Sequence, residues 1–215
     1  MIKPDWFPDW TGECVAIVAA GPSVMRADVD KLRDRIHVVA INESYKLCKW
    51  ADALYACDDK WWNLNKGAKD FPGLKITQND EVVRNFPEIK KVRIRKRDKN
   101  EYWHEILMDQ AGEIGGGGHS GFQMMNLAAQ FGATAILLLG FDMCYLNGQV
   151  HWHGRHPPPV DNPIDSNFEK WIRTTDTAKQ KLDGLGIDVV NCSMISKLTK
   201  YPKLGIDDAL KRWTL

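Results

Sequence analysis

Residues Cys14 to Ser23 read Cys-Val-Ala-Ile-Val-Ala-Ala-Gly-Pro-Ser, and this stretch decides the fold. Val15 to Val18 form a short, uncharged, partly β-branched run, the pattern of a strand buried on both faces of a parallel sheet. The run stops at Gly21-Pro22-Ser23. Glycine lets a ligand approach the backbone, and proline suits the first turn of a helix. A serine amide and hydroxyl at a helix start make a place for an anion, most often phosphate. A plain strand–turn–helix connection reads from the same residues.

Working outward, the strand pattern recurs. Ile36 to Ile41 ends at Asn42, Ala53 to Ala56 runs into Asp58, and Leu74 to Thr77 is shorter. Ala135 to Gly140 is the most hydrophobic run and belongs at the centre of a sheet; it ends in Phe141-Asp142. Ile187 to Val190 is a late strand. Helical spacing marks Ala27 to Arg35, Trp61 to Phe71, Asp165 to Leu185 and Ile206 to Trp213. Strands alternating with helices predict an α/β, Rossmann-like single domain over residues 1–215: a mostly parallel sheet with helices on both faces. Residues 1–12 read as an irregular arm. No internal repeat or linker divides the chain.

In such sheets ligands bind outside the carboxyl ends of the strands, so Ser23, Asn42 and Asp58 are expected to line one cleft with Asp142. Each also suits a cap or turn. Gly115 to Gly118 form a pliable loop before His119-Ser120-Gly121, where Ser120 is expected to cap a helix closed by Gly132. That second helix start can face the same cleft and hold phosphate. Residues 143–164 form a His/Pro-rich loop with His151, His153, Arg155 and His156. Its imidazoles suit general acid–base work, their spacing matches no helical zinc motif, and no metal site is expected.

Composition bounds the function. The net charge of +1 gives no drive toward nucleic acid or an anionic membrane. No apolar run reaches membrane-spanning length, and the first residues lack a signal-peptide core. Five scattered cysteines suit reduced thiols in a cytoplasmic protein. The one charge run, Lys90 to Lys99, reads as a solvated edge strand or a phosphate patch; it lacks the aromatic interleaving of a single-strand platform.

Taken together, Ala-Gly-Pro-Ser after the first strand, Asn42 after the second, Ser120-Gly121 before the ILLLGFD strand, the histidine loop and the late VVNCS strand resemble the bacterial CMP-sialic-acid-dependent sialyltransferases. They are also similar to the motility accessory factor glycosyltransferases and the hydroxymethylpterin diphosphokinase-like proteins; some bacteriophage proteins carry similar signatures. The resemblance spans Val15 to Ser193 through short motifs. It implies a transferase with a CMP-linked sugar donor, a glycan or small-molecule acceptor, no required cofactor, and room for a homo-oligomer. Gly21, Pro22, Ser23, Asn42, Asp58, His119, Ser120, Gly121 and Asp142 would then hold the nucleotide. Ala20 stands where that family has asparagine, and His119 where it has threonine or serine. His156 would be the general base, His153 its alternate, and Tyr145 or Arg155 would stabilise the departing phosphate. The diphosphokinase branch would instead use ATP with magnesium held by Asp58, Asp59 and Asp142. A non-catalytic nucleotide-binding protein is the third reading.

Overall fold

The computed structural model describes residues 2–98 and 101–213. Seven parallel strands form one sheet in the order β5-β4-β3-β2-β1-β8-β9. They are β1 (Cys14–Val18), β2 (His37–Ile41), β3 (Ala53–Tyr55), β4 (Leu74–Thr77), β5 (Lys90–Lys91), β8 (Ala135–Leu139) and β9 (Asp188–Asn191). β6 (Arg93–Ile94) and β7 (Glu113–Ile114) pair as a separate two-stranded sheet. The chain starts in the middle, winds outward to β5, and returns to the other side of β1 through β8. Val15 pairs with His37 on one side and with Ile136 on the other. The winding therefore reverses between β1 and β8, which is where an open α/β sheet leaves a crevice.

The apolar runs explain this order. Every residue of β1 and of β8 is buried. Alternate residues point to opposite faces, and each face carries its own core. Val15, Ile17, Val39, Ile136 and Leu138 pack with α4 (Ser120–Phe131) and α5 (Asp165–Gly184). Ala16, Val18, Val38, Leu137 and Leu139 pack with α1 (Arg26–Asp30), α2 (Asp59–Leu64), α3 (Asp80–Asn85) and α6 (Ile206–Arg212). The arm before β1 is pinned to the end of α4: Trp10 and Phe7 meet the Phe131 ring edge-on at 5.0 and 4.9 Å.

Several elements depart from their sequence reading. Pro22 and Ser23 do not open a helix; they lie in a turn, and α1 begins only at Arg26. α1 ends at Asp30 rather than Arg35, and Asp34 stands at φ 60°, outside helical space. α2 stops at Leu64, because Lys66, Gly67 and Ala68 turn through positive φ. α3 carries no strong apolar period; Asn79 starts it by accepting bonds from the amides of Glu81 and Val82. The charge run is an edge strand only over its first two residues, β5; Val92 is buried, and Arg93–Ile94 leave the main sheet to pair with β7. Arg93 and Arg95 pair with Glu113, and Arg97 with Glu101. Lys99 lies outside the described residues.

α4 is the central helix, and it is buried along its whole length. Three amide side chains on it, Gln123, Asn126 and Gln130, stitch down the segment that precedes it. Asn126 Oδ1 accepts from the amides of Leu107 (2.9 Å) and Gly115 (3.0 Å), and its Nδ2 donates to the Leu107 carbonyl. Gln130 Nε2 donates to the carbonyls of Leu107, Gln110 and Glu113. Gln123 Nε2 donates to the Gly116 carbonyl, while its Oε1 accepts from Tyr55. The glycine loop is thus tied to α4 by side chains, and its route is set by them.

Candidate functional site

The site begins where β1 and β8 end side by side. The Gly21 amide donates to the Gly140 carbonyl at 3.1 Å. A Cβ on Gly21 would stand 2.5 Å from Asp142 Oδ2. Gly140 sits at φ 70°, and a Cβ there would meet the Ala19 carbonyl oxygen at 2.5 Å. The two strand ends approach so closely that side chains are excluded at both positions.

That approach also decides what the first turn binds. The Ser23 amide donates to Asp142 Oδ2 at 2.7 Å, and its hydroxyl to Asp142 Oδ1 at 2.6 Å. The groups expected to face a phosphate already hold a carboxylate of the protein. Ser23 stands behind Asp142, on a second concavity, rather than on the main cleft wall. Asn42, Ser120 and Asp142 do share that cleft, at the carboxyl end of the sheet. Gly21, Pro22, Asp58, His119, Gly121 and His156 line it too, and it encloses about 220 Å³.

The far wall is the N-terminus of α4. His119, not Ser120, caps the helix: its Nδ1 accepts the Phe122 amide at 3.3 Å. The ring proton must then sit on Nε2, which donates to Thr175 Oγ1 at 2.9 Å. Burial drives the His119 pKa down to about 3, so the ring is neutral and fixed in one tautomer. The Ser120 hydroxyl accepts the Cys57 amide at 3.2 Å, joining the end of β3 to α4. The amides of Ser120 and Gly121 stand ahead of the helical ladder, on the cleft wall, at the positive end of a twelve-residue helix.

On the β2 side, Asn42 stands at φ 50°, and its Oδ1 is buried without a hydrogen-bond partner. An unpaired buried acceptor is costly unless a ligand fills it. Asp58 caps α2 through the Lys60 amide.

The histidine loop closes the top. Trp152 anchors it, its amide donating to the Ala20 carbonyl and its indole to Ser44 Oγ. Asn162 clamps the far side, accepting from the His156 amide and donating to the His156 carbonyl. Between these anchors the rings of His151, His153 and His156 gather, with centroids 4.7 to 5.1 Å apart. His151 and His156 line the cleft; His153 stacks behind them. Burial lowers all three pKa values, His151 to about 3 and His153 to about 4. For His156 burial is the larger effect, opposed by the carboxylates of Glu43 and Asp58. Tyr145 and Arg155 lie outside the cleft wall. Tyr145 donates to the Pro163 carbonyl and packs on Phe168, and Arg155 is exposed.

The sequence named His151 with its loop neighbours, and the structure puts its ring on the cleft wall. Three other contributors were missed. Phe168 and Trp171 of α5 line the cleft, though helical spacing marked only the helix. Glu43 is a buried carboxylate behind the histidines, bonded by Trp61, Asn65 and Lys46. Burial would raise its pKa, but Lys46 and Asn65 more than offset that and hold it low. The only sequence signal for Glu43 was its place directly after Asn42.

No family model matches the chain, and no curated protein matches it. Among solved structures it is similar to the sialyltransferase CstII from Campylobacter jejuni, solved in complex with a substrate analogue, cytidine-5'-monophosphate. The two share 13% sequence identity with a TM-score of 0.50, over 95% of this chain and 98% of the other. The chain thus has the fold of that sialyltransferase: an α/β, Rossmann-like domain wound around the crevice just described.

Proposed function

We propose that the chain is a transferase that takes a nucleotide-activated donor, of the CMP-linked sugar kind, into the cleft between β1 and β8. The observation that carries this is the pairing of the α4 N-terminus with the unpartnered Asn42 Oδ1 across one cleft. The first suits a phosphate, and the second suits an N–H or O–H of a base or ribose. The neighbour's cytidine monophosphate supports the same ligand class at the level of the fold. Gly21 and Pro22 form the cleft floor, and Asp58 lies at its β3 edge within reach of ribose.

In the proposed step the acceptor hydroxyl gives its proton to His156. The acceptor oxygen bonds the anomeric carbon, and the carbon–oxygen bond to phosphate breaks. Its electron pair leaves with the nucleotide, where the α4 amides of Ser120 and Gly121 receive the charge. Desolvation keeps His156 unprotonated and ready to accept. His153 is the alternate base. The leaving phosphate falls to α4 rather than to Tyr145 or Arg155, which stand outside the wall. The carboxylates that an ATP–magnesium reaction would call on are partly committed, Asp142 to Ser23 and Asp58 to its helix.

CMP release from CMP-sialic acid, measured with and without galactoside acceptors, tests the reading. Turnover by the wild type that falls about 10²- to 10⁴-fold in His156→Ala, with CMP affinity nearly unchanged, is the expected result. Wild-type turnover with an unaffected variant would remove the histidine from the mechanism.

A further inference from the structure

The histidine cluster holds a second kind of information. Three imidazole nitrogens in it, His151 Nε2, His153 Nε2 and His156 Nδ1, are buried and have no hydrogen-bond partner. His156 is only 6% exposed. Three rings within about 5 Å of one another, each with an unpaired nitrogen, form a costly arrangement unless all are neutral. Among the described residues no three His, Cys, Asp or Glu side chains stand so as to hold a metal ion. The rings of His151 and His153 lie nearly parallel, 15° apart, and do not converge on one point.

The surroundings decide what a proton would do. Glu43, on the turn after β2, and Asp58, at the start of α2, favour a charged ring at His156. Lys46, on the same turn as Glu43, opposes it at His153 and His156, and Arg155 opposes it at His151. Glu43 is already neutralised by Lys46. One proton can be tolerated near the two carboxylates. A second would place two imidazolium rings about 5 Å apart in a dry cluster.

We propose that the His151–His153–His156 cluster is an acid-released latch on the cleft. At neutral pH the packed neutral rings hold the 150–163 loop against Ala20 and Ser44. Below about pH 6, protonation of the open loop draws it off the sheet, and with it the wall formed by Val150, His151, His156, Val160 and Pro163. This regulates the same cleft but does not rest on its being a donor site, because no ligand is needed to see it.

Hydrogen exchange of the 150–163 backbone, corrected for the intrinsic pH dependence of exchange, reads the latch in the ligand-free chain. Each ring kept neutral in the closed loop and free to titrate in the open one multiplies opening about 30-fold between pH 7.5 and pH 5. The expected result is a fall in loop protection of at least 30-fold, while the amides of β1 and β8 stay protected. In His151→Phe with His153→Phe, which keeps ring volume without a charge, most of that fall should vanish. His151→Phe alone serves if the double variant is unstable, and should remove about one 30-fold step. Loop protection that is the same at both pH values, or equally pH-sensitive in the variants, would overturn the latch. So would protection at neutral pH that rises with added zinc and is lost to a chelator, which would assign the rings to a metal.

Discussion

Gly21 shows how much one residue decides. Its missing side chain lets Asp142 reach Ser23, so the first turn holds a carboxylate of its own chain. Gly21→Ala forces apart either the Gly140 carbonyl or the Asp142 side chain. It should cost about 1–3 kcal/mol by chemical denaturation and loosen the cleft floor. The Gly-Pro-Ser motif was legible in sequence; its internal anion was not, because Ser23 and Asp142 are 119 residues apart. Asn42 was legible as a strand-end polar residue, but only the structure shows its oxygen unpaired. His156 carries a pH prediction. Its pKa is lowered by burial, so the acid limb of the rate profile should fall below the ordinary histidine value of about 6.5. An acid limb at or above that value would contradict the assigned desolvation.

At the scale of elements, continuous apolar runs identified β1, β2, β8 and β9 to within a residue or so at most ends, because strands buried on both faces need no alternation. Helices read less well. α4 was legible by Gly132, which does close it at φ 104°, although its cap is His119 and not Ser120. The stripe of Gln123, Asn126 and Gln130 was hidden, since nothing local says that an amide in a buried helix will bind a distant loop. Asn126→Ala would strand the amides of Leu107 and Gly115, while the Leu107 carbonyl keeps Gln130 as its donor. A loss of at least about 2 kcal/mol is expected in a denaturant melt. The shifted Gly115–Gly118 loop should also weaken nucleotide binding, by way of His119. The basic run gives the opposite expectation. With Arg93 and Arg95 committed to Glu113 and Asp109, neutralising Arg93, Arg95 and Arg97 together should leave nucleotide affinity within a few-fold. A large, salt-sensitive loss would make them phosphate contacts.

For the whole molecule, five histidines sit with pKa values depressed chiefly by burial: His104, His119, His151, His153 and His156. Their unfolded value is about 6.5, so below that pH the unfolded chain binds more protons than the native one. The stability they contribute is complete above pH 6.5 and is lost as pH falls toward 4 and below. A thermal midpoint that drops steadily from pH 7 to pH 4.5 is the expected result. The winding order leaves a crevice at the reversal between β1 and β8, whatever its chemistry. Among the described residues no helix is long and apolar enough to cross a membrane.

Calorimetric titration with CMP, run beside UMP, GMP and AMP in metal-free buffer, decides whether this crevice is a nucleotide site. Saturable CMP binding by the wild type is the expected result. That binding should be weakened at least about tenfold in Asn42→Ala, which removes the unpaired acceptor, and be little changed in Arg155→Ala, outside the cleft. Absence of binding by every nucleotide, or CMP binding that is indifferent to Asn42, would contradict it.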